Sequence, residues 1–304
     1  FNKLLFYLYK SKIINKFKLQ LLRKINEFMH SKEMTPFLKW PGGKQWFVKH
    51  NLEIFPDRFN NYYEPFLGGG AVFFALQPPK AVLSDINTEL INLYACMRDN
   101  PQELKRIMEE HQKQHSKQYY YYIRECEYKT DLEKAGRFLY LNRTCFNGIY
   151  RVNRQGKFNV PIGTKNNCIY DLDMFEKYSE LLKKIDLISS DFMSVIKNAK
   201  EKDLIFADPP YAVQKNQNGF IKYNDQLFKW QDQERLFESL LAAKQRGASI
   251  VLTNANCREI WEMYKSAGFF LRKISRNSSI AGDVSKRGLT TELLITSYQL
   301  RVNK

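Results

Sequence analysis

Five short apolar runs, at 62–66, 81–86, 186–192, 203–207 and 249–253, recur along the chain, each too short for a helix. Runs of that length predict buried parallel strands. Between them apolar positions return at helical spacing, as in Gln233–Gln245 and Arg258–Ala267. Such alternation predicts an α/β fold built on a doubly wound sheet. Phe269–Ser275 and Thr291–Tyr298 can pair as a closing hairpin, and the polar, glycine-containing Ser278–Leu289 reads as the loop between them.

Two segments depart from this pattern. From about Arg98 to Lys184 the alternation stops: the stretch is polar, tyrosine-rich at 119–122 and helical in pattern from Leu132 to Asn142. It reads as a separate, mainly helical domain inserted into the sheet domain. Residues 1–33 carry eight Lys or Arg against Glu27 and Glu33, a local charge of +6. Ile14, Phe17, Leu21, Leu22, Ile25, Phe28 and Met29 fall at helical spacing, which predicts a basic amphipathic helix suited to DNA or a membrane surface. Lysines interrupt its apolar residues and no small-residue cleavage site follows, which argues against a secretory signal. Because Met34 immediately precedes the first informative motif, 1–33 is read as an extension dispensable to the core.

Candidate chemistry gathers where the strands end. Leu204-Ile205-Phe206-Ala207 runs into Asp208-Pro209-Pro210-Tyr211, and the carboxyl edge of an open α/β sheet is where ligands bind. The prolines lack N–H donors, so this segment cannot continue a ladder. It presents carbonyls, a carboxylate and an aromatic plate, which suit a flat base bearing an amino group. Taken alone, the tetrapeptide also fits an ordinary proline turn. Upstream, Tyr62-Tyr63-Glu64-Pro65-Phe66-Leu67-Gly68-Gly69-Gly70 leads into apolar Ala71–Leu76 and reads as strand, glycine turn and helix. Ala81–Asn87 is a second short strand ending at Asp85, about 20 positions on, where a carboxylate accepts both hydroxyls of a ribose. The glycines lack the G-x-G-x-x-G spacing and no Walker lysine follows, so NAD and ATP fit poorly. S-adenosylmethionine has the ribose and adenine without a pyrophosphate.

Across about 35–298 the chain resembles adenine-N6 DNA methyltransferases of the Dam type, the D12 class of the α group. The matching motifs are Phe37-Leu38-Lys39-Trp40-Pro41-Gly42-Gly43-Lys44, Glu64–Gly70, Ser84-Asp85-Ile86-Asn87, Leu141-Asn142-Arg143-Thr144-Cys145-Phe146-Asn147-Gly148, Phe158-Asn159-Val160-Pro161-Ile162-Gly163 and Asp208–Tyr211, in that order. The resemblance implies a Rossmann-like S-adenosylmethionine-dependent methyltransferase sheet, with 34–97 and 185–304 as the catalytic domain and 98–184 as the target-recognition domain. It implies Trp40, Gly42, Gly43, Lys44, Glu64, Pro65, Phe66, Gly68, Gly70, Asp85 and Asp208 at the cofactor, with Asp191 and Phe192 near its adenine. Trp40 and Phe66 equally suit a core role, and Asp191 a strand end.

For catalysis, the amine lone pair of adenine must leave conjugation with the ring. Asp208 and the Pro209 carbonyl can accept the two N6 hydrogens while Tyr211 stacks on the base, and Pro210 stiffens the segment. The base must leave the duplex, at a cost of about a few kcal/mol. Asp rather than Asn at 208 argues against glutamine methyltransferases, and leans away from the Ser of cytosine-N4 enzymes. For recognition, Arg151 can fork onto guanine, Ile149 can wedge into the stack and Pro161 can touch a thymine methyl. Asn147 and Asn153 complete an Asn-Gly, apolar, Arg, Asn pattern similar to that of GATC-recognising members. Tyr150 and Val152 stand where many relatives have Cys and Tyr. Lys39 is a further base contact, and Arg143, Arg154 and Lys157 suit phosphates or a solvated basic loop.

Composition agrees with that substrate. Lys and Arg total 48 against 32 Asp and Glu in 304 residues, a net +16 that favours a polyanion such as double-stranded DNA. Five cysteines without a C-x-x-C pair suggest neither disulfides nor zinc, and fit a reducing cytoplasm. His111 and His115, four apart without a third ligand, read as a solvated helix face rather than a metal site. No apolar stretch reaches membrane-spanning length. One flipped base needs only a monomer, and a cognate restriction endonuclease need not bind it. Methylation of RNA or single strands and a noncatalytic DNA-binding role are the rival readings. The groove-reading insert weighs against the first and the intact motifs against the second.

Overall fold

A computed structural model describes residues 34–153, 155–168, 174–211, 228–277 and 289–300. The basic segment 1–33, Arg154 and the 278–288 part of the expected loop lie outside the described residues. Residues 36–304 form one compact unit, distinct from 1–35.

Seven strands, β1 (Tyr62–Glu64), β2 (Ala81–Asp85), β3 (Ile185–Ser189), β4 (Leu204–Ala207), β5 (Ser249–Ala255), β6 (Phe270–Asn277) and β7 (Leu289–Thr296), form one sheet in the order β3-β2-β1-β4-β5-β7-β6. β1 to β5 are parallel, whereas β7 runs antiparallel between β5 and β6. Chain direction across the sheet reverses between β1 and β4, so a crevice opens beyond their carboxyl ends. β7 reaches the same edge from the opposite direction: its Glu292 pairs with Ala255 at the end of β5.

Ten helices accompany the sheet among the described residues: α1 (Gln45–Asn51), α2 (Ala71–Leu76), α3 (Thr88–Asp99), α4 (Pro101–Gln114), α5 (Lys117–Glu125), α6 (Asp131–Thr144), α7 (Phe175–Leu182), α8 (Phe192–Ile196), α9 (Trp230–Gln245) and α10 (Arg258–Ser266). Central β4 is buried along its length because both of its faces are covered. Ile205 and Ala207 join a core with Val195 and Ile196 of α8 and Leu236 and Leu240 of α9. Phe206 points to the other face, its ring stacked 6.0 Å from Phe47 of α1 and edge-on to Phe55 at 6.1 Å. Burying such a ring stabilises the fold by roughly 1.5–3 kcal/mol, which fixes β4 in register and with it the position of Asp208.

The run at 186–192 is a correction. β3 stops at Ser189, and Asp186, Ile188 and Ser189 are exposed. It is one of the two edge strands of the sheet, with a strand neighbour on one side only among the described residues. Asp191 instead caps α8, accepting the Met193 N–H.

α3 to α7 are inserted between β2 and β3. Sequence dictates several of their starts: Asn87 caps α3, Ser116 caps α5, and Thr130 with Glu133 forms a capping box on α6. Phe37 ties the segment before α1 to this layer through Tyr94 at 4.8 Å and Tyr178 at 5.1 Å. The histidines also depart from expectation. Leu104, Met108 and His111 share the buried face of α4, and the His111 ring stacks 4.6 Å from Tyr140. His111 Nδ1 bonds Tyr119 Oη at 2.9 Å and His115 Nδ1 bonds Tyr140 Oη at 2.8 Å. Among the described residues no cluster of His, Cys, Asp or Glu can hold a metal, all five cysteines are free, and no helix is long and apolar enough to cross a membrane.

Candidate active site and nucleic-acid interface

Beyond β4 the backbone passes into Asp208, whose side chain is 18% exposed. Its Oδ1 lies 2.8 Å from Nζ of Lys44 and accepts the Thr253 hydroxyl at 2.6 Å. Burial pushes the Asp208 carboxyl upward, and the Lys44 ammonium opposes that push. Lys44 Nζ also donates to the Gly42 carbonyl at 3.0 Å, lies 5.4 Å from the Tyr211 ring centroid and stands 3.6 Å from Oε2 of Glu292. The Tyr211 hydroxyl donates to Glu292 Oε2 at 2.9 Å. Pro209 is buried and Pro210 half-buried.

A second group forms at the glycine turn. Leu67 N–H donates to Ser84 O at 2.8 Å, joining the ends of β1 and β2. Asp85 Oδ2 accepts the Gly68 N–H and Oδ1 the Asn87 N–H, both at 3.0 Å. The Ile86 N–H bonds the same carboxylate, which keeps acceptor capacity for a hydroxyl. Gly68 has φ 47°, and a Cβ there would stand 2.6 Å from the Trp40 indole. The turn thus rests on Trp40, which stacks in turn on Tyr150 at 5.3 Å and Phe138 at 6.4 Å. Phe66 stacks on Phe192 at 5.3 Å, with Arg235 over the Phe192 ring and paired to Asp191 at 3.0 Å. Glu64, next to buried Pro65, accepts the Tyr62 hydroxyl at 2.7 Å, and burial pushes its carboxyl up to about 8. Gly70 begins α2 in the left-handed region, and Gly43 closes a turn onto the Trp40 carbonyl at 3.0 Å. An oriented carboxylate beside an open turn, with Ile86 76% exposed next to it, fits a nucleoside: hydroxyls for Asp85, an apolar edge for the base.

The expected recognition segment forms a small hairpin after α6. Cys145 bridges Ile162 and Val152 bridges Phe158. Phe146 N–H donates to the Pro161 carbonyl at 2.9 Å, and the Tyr120 hydroxyl of α5 holds the Val160 carbonyl at 2.9 Å. Exposed Arg151 donates Nε to Asn159 Oδ1 at 2.8 Å. Asn153 spends its side-chain oxygen on the tip, accepting the N–H groups of Gln155 and Lys157. Lys39 exchanges backbone bonds with the Asn142 carboxamide at 3.0 and 2.7 Å, and its stem lies against Gly148. Asn147, exposed with φ 56°, forms the neighbouring turn, with Ile149 half-buried behind it. Arg143 reaches the Phe37 carbonyl at 3.4 Å, while Lys157 and Pro161 are exposed.

The structure therefore joins Lys44, Asp208 and Tyr211 in one cluster and Asp85, Gly68 and Trp40 in another. Thr253 and Glu292 enter the first cluster although the sequence singled out neither. Lys165 was also missed: burial and the neighbouring Lys39 and Arg143 charges lower its ammonium, which adds a third cation to that edge.

This fold defines a class, the Rossmann-like α/β enzymes whose polar groups gather beyond the carboxyl ends of the central parallel strands. Residues 40–279 match the family described as D12 class N6 adenine-specific DNA methyltransferase, and the chain belongs to that family. It is 37% identical over 274 residues to the type II methyltransferase M1.LlaDCHI of Lactococcus lactis subsp. cremoris, covering 87% of this chain and 96% of the relative. It is 33% identical to the type II methyltransferase M.MjaIII of Methanocaldococcus jannaschii, over 88% of this chain and all (100%) of that one. A DNA adenine methylase of Haemophilus influenzae is 31% identical, over 85% and 92% of the two chains. The protein is thus an adenine-specific DNA methyltransferase, and S-adenosylmethionine is its cofactor.

Proposed function

We propose that the enzyme methylates N6 of an adenine flipped out of duplex DNA at GATC. The observation that carries this reading is Asp208 at the end of buried β4, next to Pro209, Pro210 and Tyr211. Asp208 and the Pro209 carbonyl accept the two hydrogens of N6, turning its lone pair out of the ring. Tyr211 bounds the base with its ring, and the Lys44 ammonium compensates the buried carboxylate. When bound, the cofactor would supply a sulfonium methyl: the N6–C bond would form as the C–S bond breaks, leaving S-adenosylhomocysteine, and the proton that N6 loses would pass by way of Asp208 to solvent. Asp85 takes the ribose hydroxyls against the Gly68 turn, Phe66, Asp191 and Phe192 bound the cofactor adenine, and Trp40 backs the turn. The pocket lies at the sheet edge and cannot reach a stacked base, so flipping is required, at a cost of about a few kcal/mol.

Residues 98–184 serve as the target-recognition domain. With Nε committed to Asn159, Arg151 has both terminal nitrogens left to fork onto guanine. Ile149 fills the stack, Asn147 and Asn153 shape the turns, and Lys39, Arg143, Lys157 and Pro161 line the DNA. The net charge of +16 supports the same polyanionic partner. The enzyme works as a monomer on cytoplasmic DNA. The names of two relatives as type II methyltransferases support a place beside a restriction endonuclease of the same specificity.

Labelled S-adenosylmethionine with duplexes carrying GATC or single-base variants tests this reading. N6-methyladenine confined to GATC is the expected product. Label at another site would overturn the target, and no label in any duplex the duplex reading itself.

A further inference from the structure

Lys44 is 4% exposed and carries a charge between two buried carboxylates, at 2.8 Å from Asp208 Oδ1 and 3.6 Å from Glu292 Oε2. The Asp208 oxygen it holds also accepts Thr253. A base amine that binds this oxygen therefore shares an acceptor with the ammonium. Were Lys44 to leave for water, its contacts with both buried carboxylates would be lost together, which is strongly unfavourable. A shift toward Glu292 keeps the charge compensated without crossing the pocket. Glu292 is fixed to receive it: 1% exposed, bonded by the Tyr211 hydroxyl and paired in β7 between Ala255 and Ile274.

We infer that Glu292 is a positioning residue that takes over the Lys44 ammonium when the target amine binds Asp208, and that anchors Tyr211 against the base. This inference rests on the reading of Asp208 as the amine acceptor. It assigns a role in the reaction to β7, which contributes no residue to any of the recognised motifs.

The test uses the full chain, S-adenosylmethionine and duplexes carrying the target adenine. Glu292→Gln preserves an acceptor for the Tyr211 hydroxyl and removes the charge that draws Lys44. It is expected to lower single-turnover methylation by roughly tenfold or more, while the melting temperature and the Kd values for DNA and S-adenosylmethionine stay close to the parent. Glu292→Asp, which restores the charge, should recover part of that loss. In a Lys44→Met background Glu292→Gln should cost little further, because its effect passes through the lysine. A purely structural Glu292 would instead cost as much in that background and would lower the melting temperature in parallel. Equal losses in both backgrounds, or no loss in either, would overturn the inference. If Glu292→Gln does not fold, Glu292→Asp carries the same cycle with Lys44→Met, and additive losses have the same meaning. Asp208→Ala separates the two levels: retained turnover there defeats the acceptor reading itself, whereas an inactive Asp208→Ala beside a fully active Glu292→Gln defeats only the role of Glu292.

Discussion

Nζ of Lys44 lies 2.8 Å from Oδ1 of Asp208, so the carboxylate at the end of β4 faces a partner from a motif 164 positions earlier in the chain, at the start of α1. Under the proposed function, removing the carboxylate removes the acceptor for the adenine amine, and it takes from Lys44 the nearer of its two carboxylate partners. Asp208→Ala is expected to lower the methylation rate by roughly 10²-fold or more with DNA affinity largely retained. Single-turnover rates and a gel-shift titration on the same preparation check both halves.

Arg151 is set differently from a free surface arginine, because Asn159 holds its Nε at 2.8 Å. Arg151→Ala should relax discrimination at one guanine by about 1–3 kcal/mol. Asn159→Ala should weaken the same position less, since the guanidinium remains but loses its orientation. Relative kcat/KM across single-base variants of the site measures both, and an unchanged preference would move recognition elsewhere.

At Gly68 a side chain meets two obstacles, a backbone at φ 47° and the Trp40 indole 2.6 Å from the new Cβ. Gly68→Ala is expected to destabilise the fold by about 1–3 kcal/mol and to weaken S-adenosylmethionine binding by disturbing the Asp85 bond to the Gly68 N–H. Denaturant unfolding and calorimetric titration of the cofactor read the two effects separately.

His111 and Glu64 predict pH effects of opposite sign. Burial holds His111 neutral and pushes it down to about 4, so the unfolded chain binds the extra proton between about 6.5 and about 4. Stability from this group is present above about 6.5 and is lost as pH falls toward 4. Glu64 is pushed up to about 8 by burial, so the folded state holds the proton that the unfolded chain releases above about 4.5. Its contribution is full below about 4.5 and is lost as pH rises through about 8. His111→Gln should flatten the acid limb of a melting-temperature profile, and Glu64→Gln should raise its alkaline limb.

Much of this was legible in the sequence, and its gaps have physical causes. β1, β2, β4 and β5 could be read from apolar runs because central parallel strands are buried on both faces. The run at 186–192 misled because apolar residues continue from edge strand β3 into α8 through Asp191, and run length alone does not mark where one element stops. His111 was read as solvated, although its place in line with Leu104 and Met108 already put it on the apolar face of α4. The contact of the Lys44 ammonium with Asp208 joins two motifs far apart in the chain, and spacing alone does not show it. Thr253 and Glu292 carried no local signal. The parallel register of β5 on β4 brings Thr253 beside Asp208, the antiparallel register of β7 on β5 brings Glu292 to the same edge, and register is a tertiary fact.

That register also bears on the order in which a growing polypeptide can become an enzyme. During synthesis β1, β2, β4 and β5 all leave the ribosome before residue 292 exists, so parallel pairing can begin while the second carboxylate beside Lys44 is still untranslated. The bond between Asp85 and the Gly68 N–H can therefore form before the Lys44–Glu292 contact, which waits until β7 slots between β5 and β6. The closing hairpin is thus the last-made part of the cluster around Asp208.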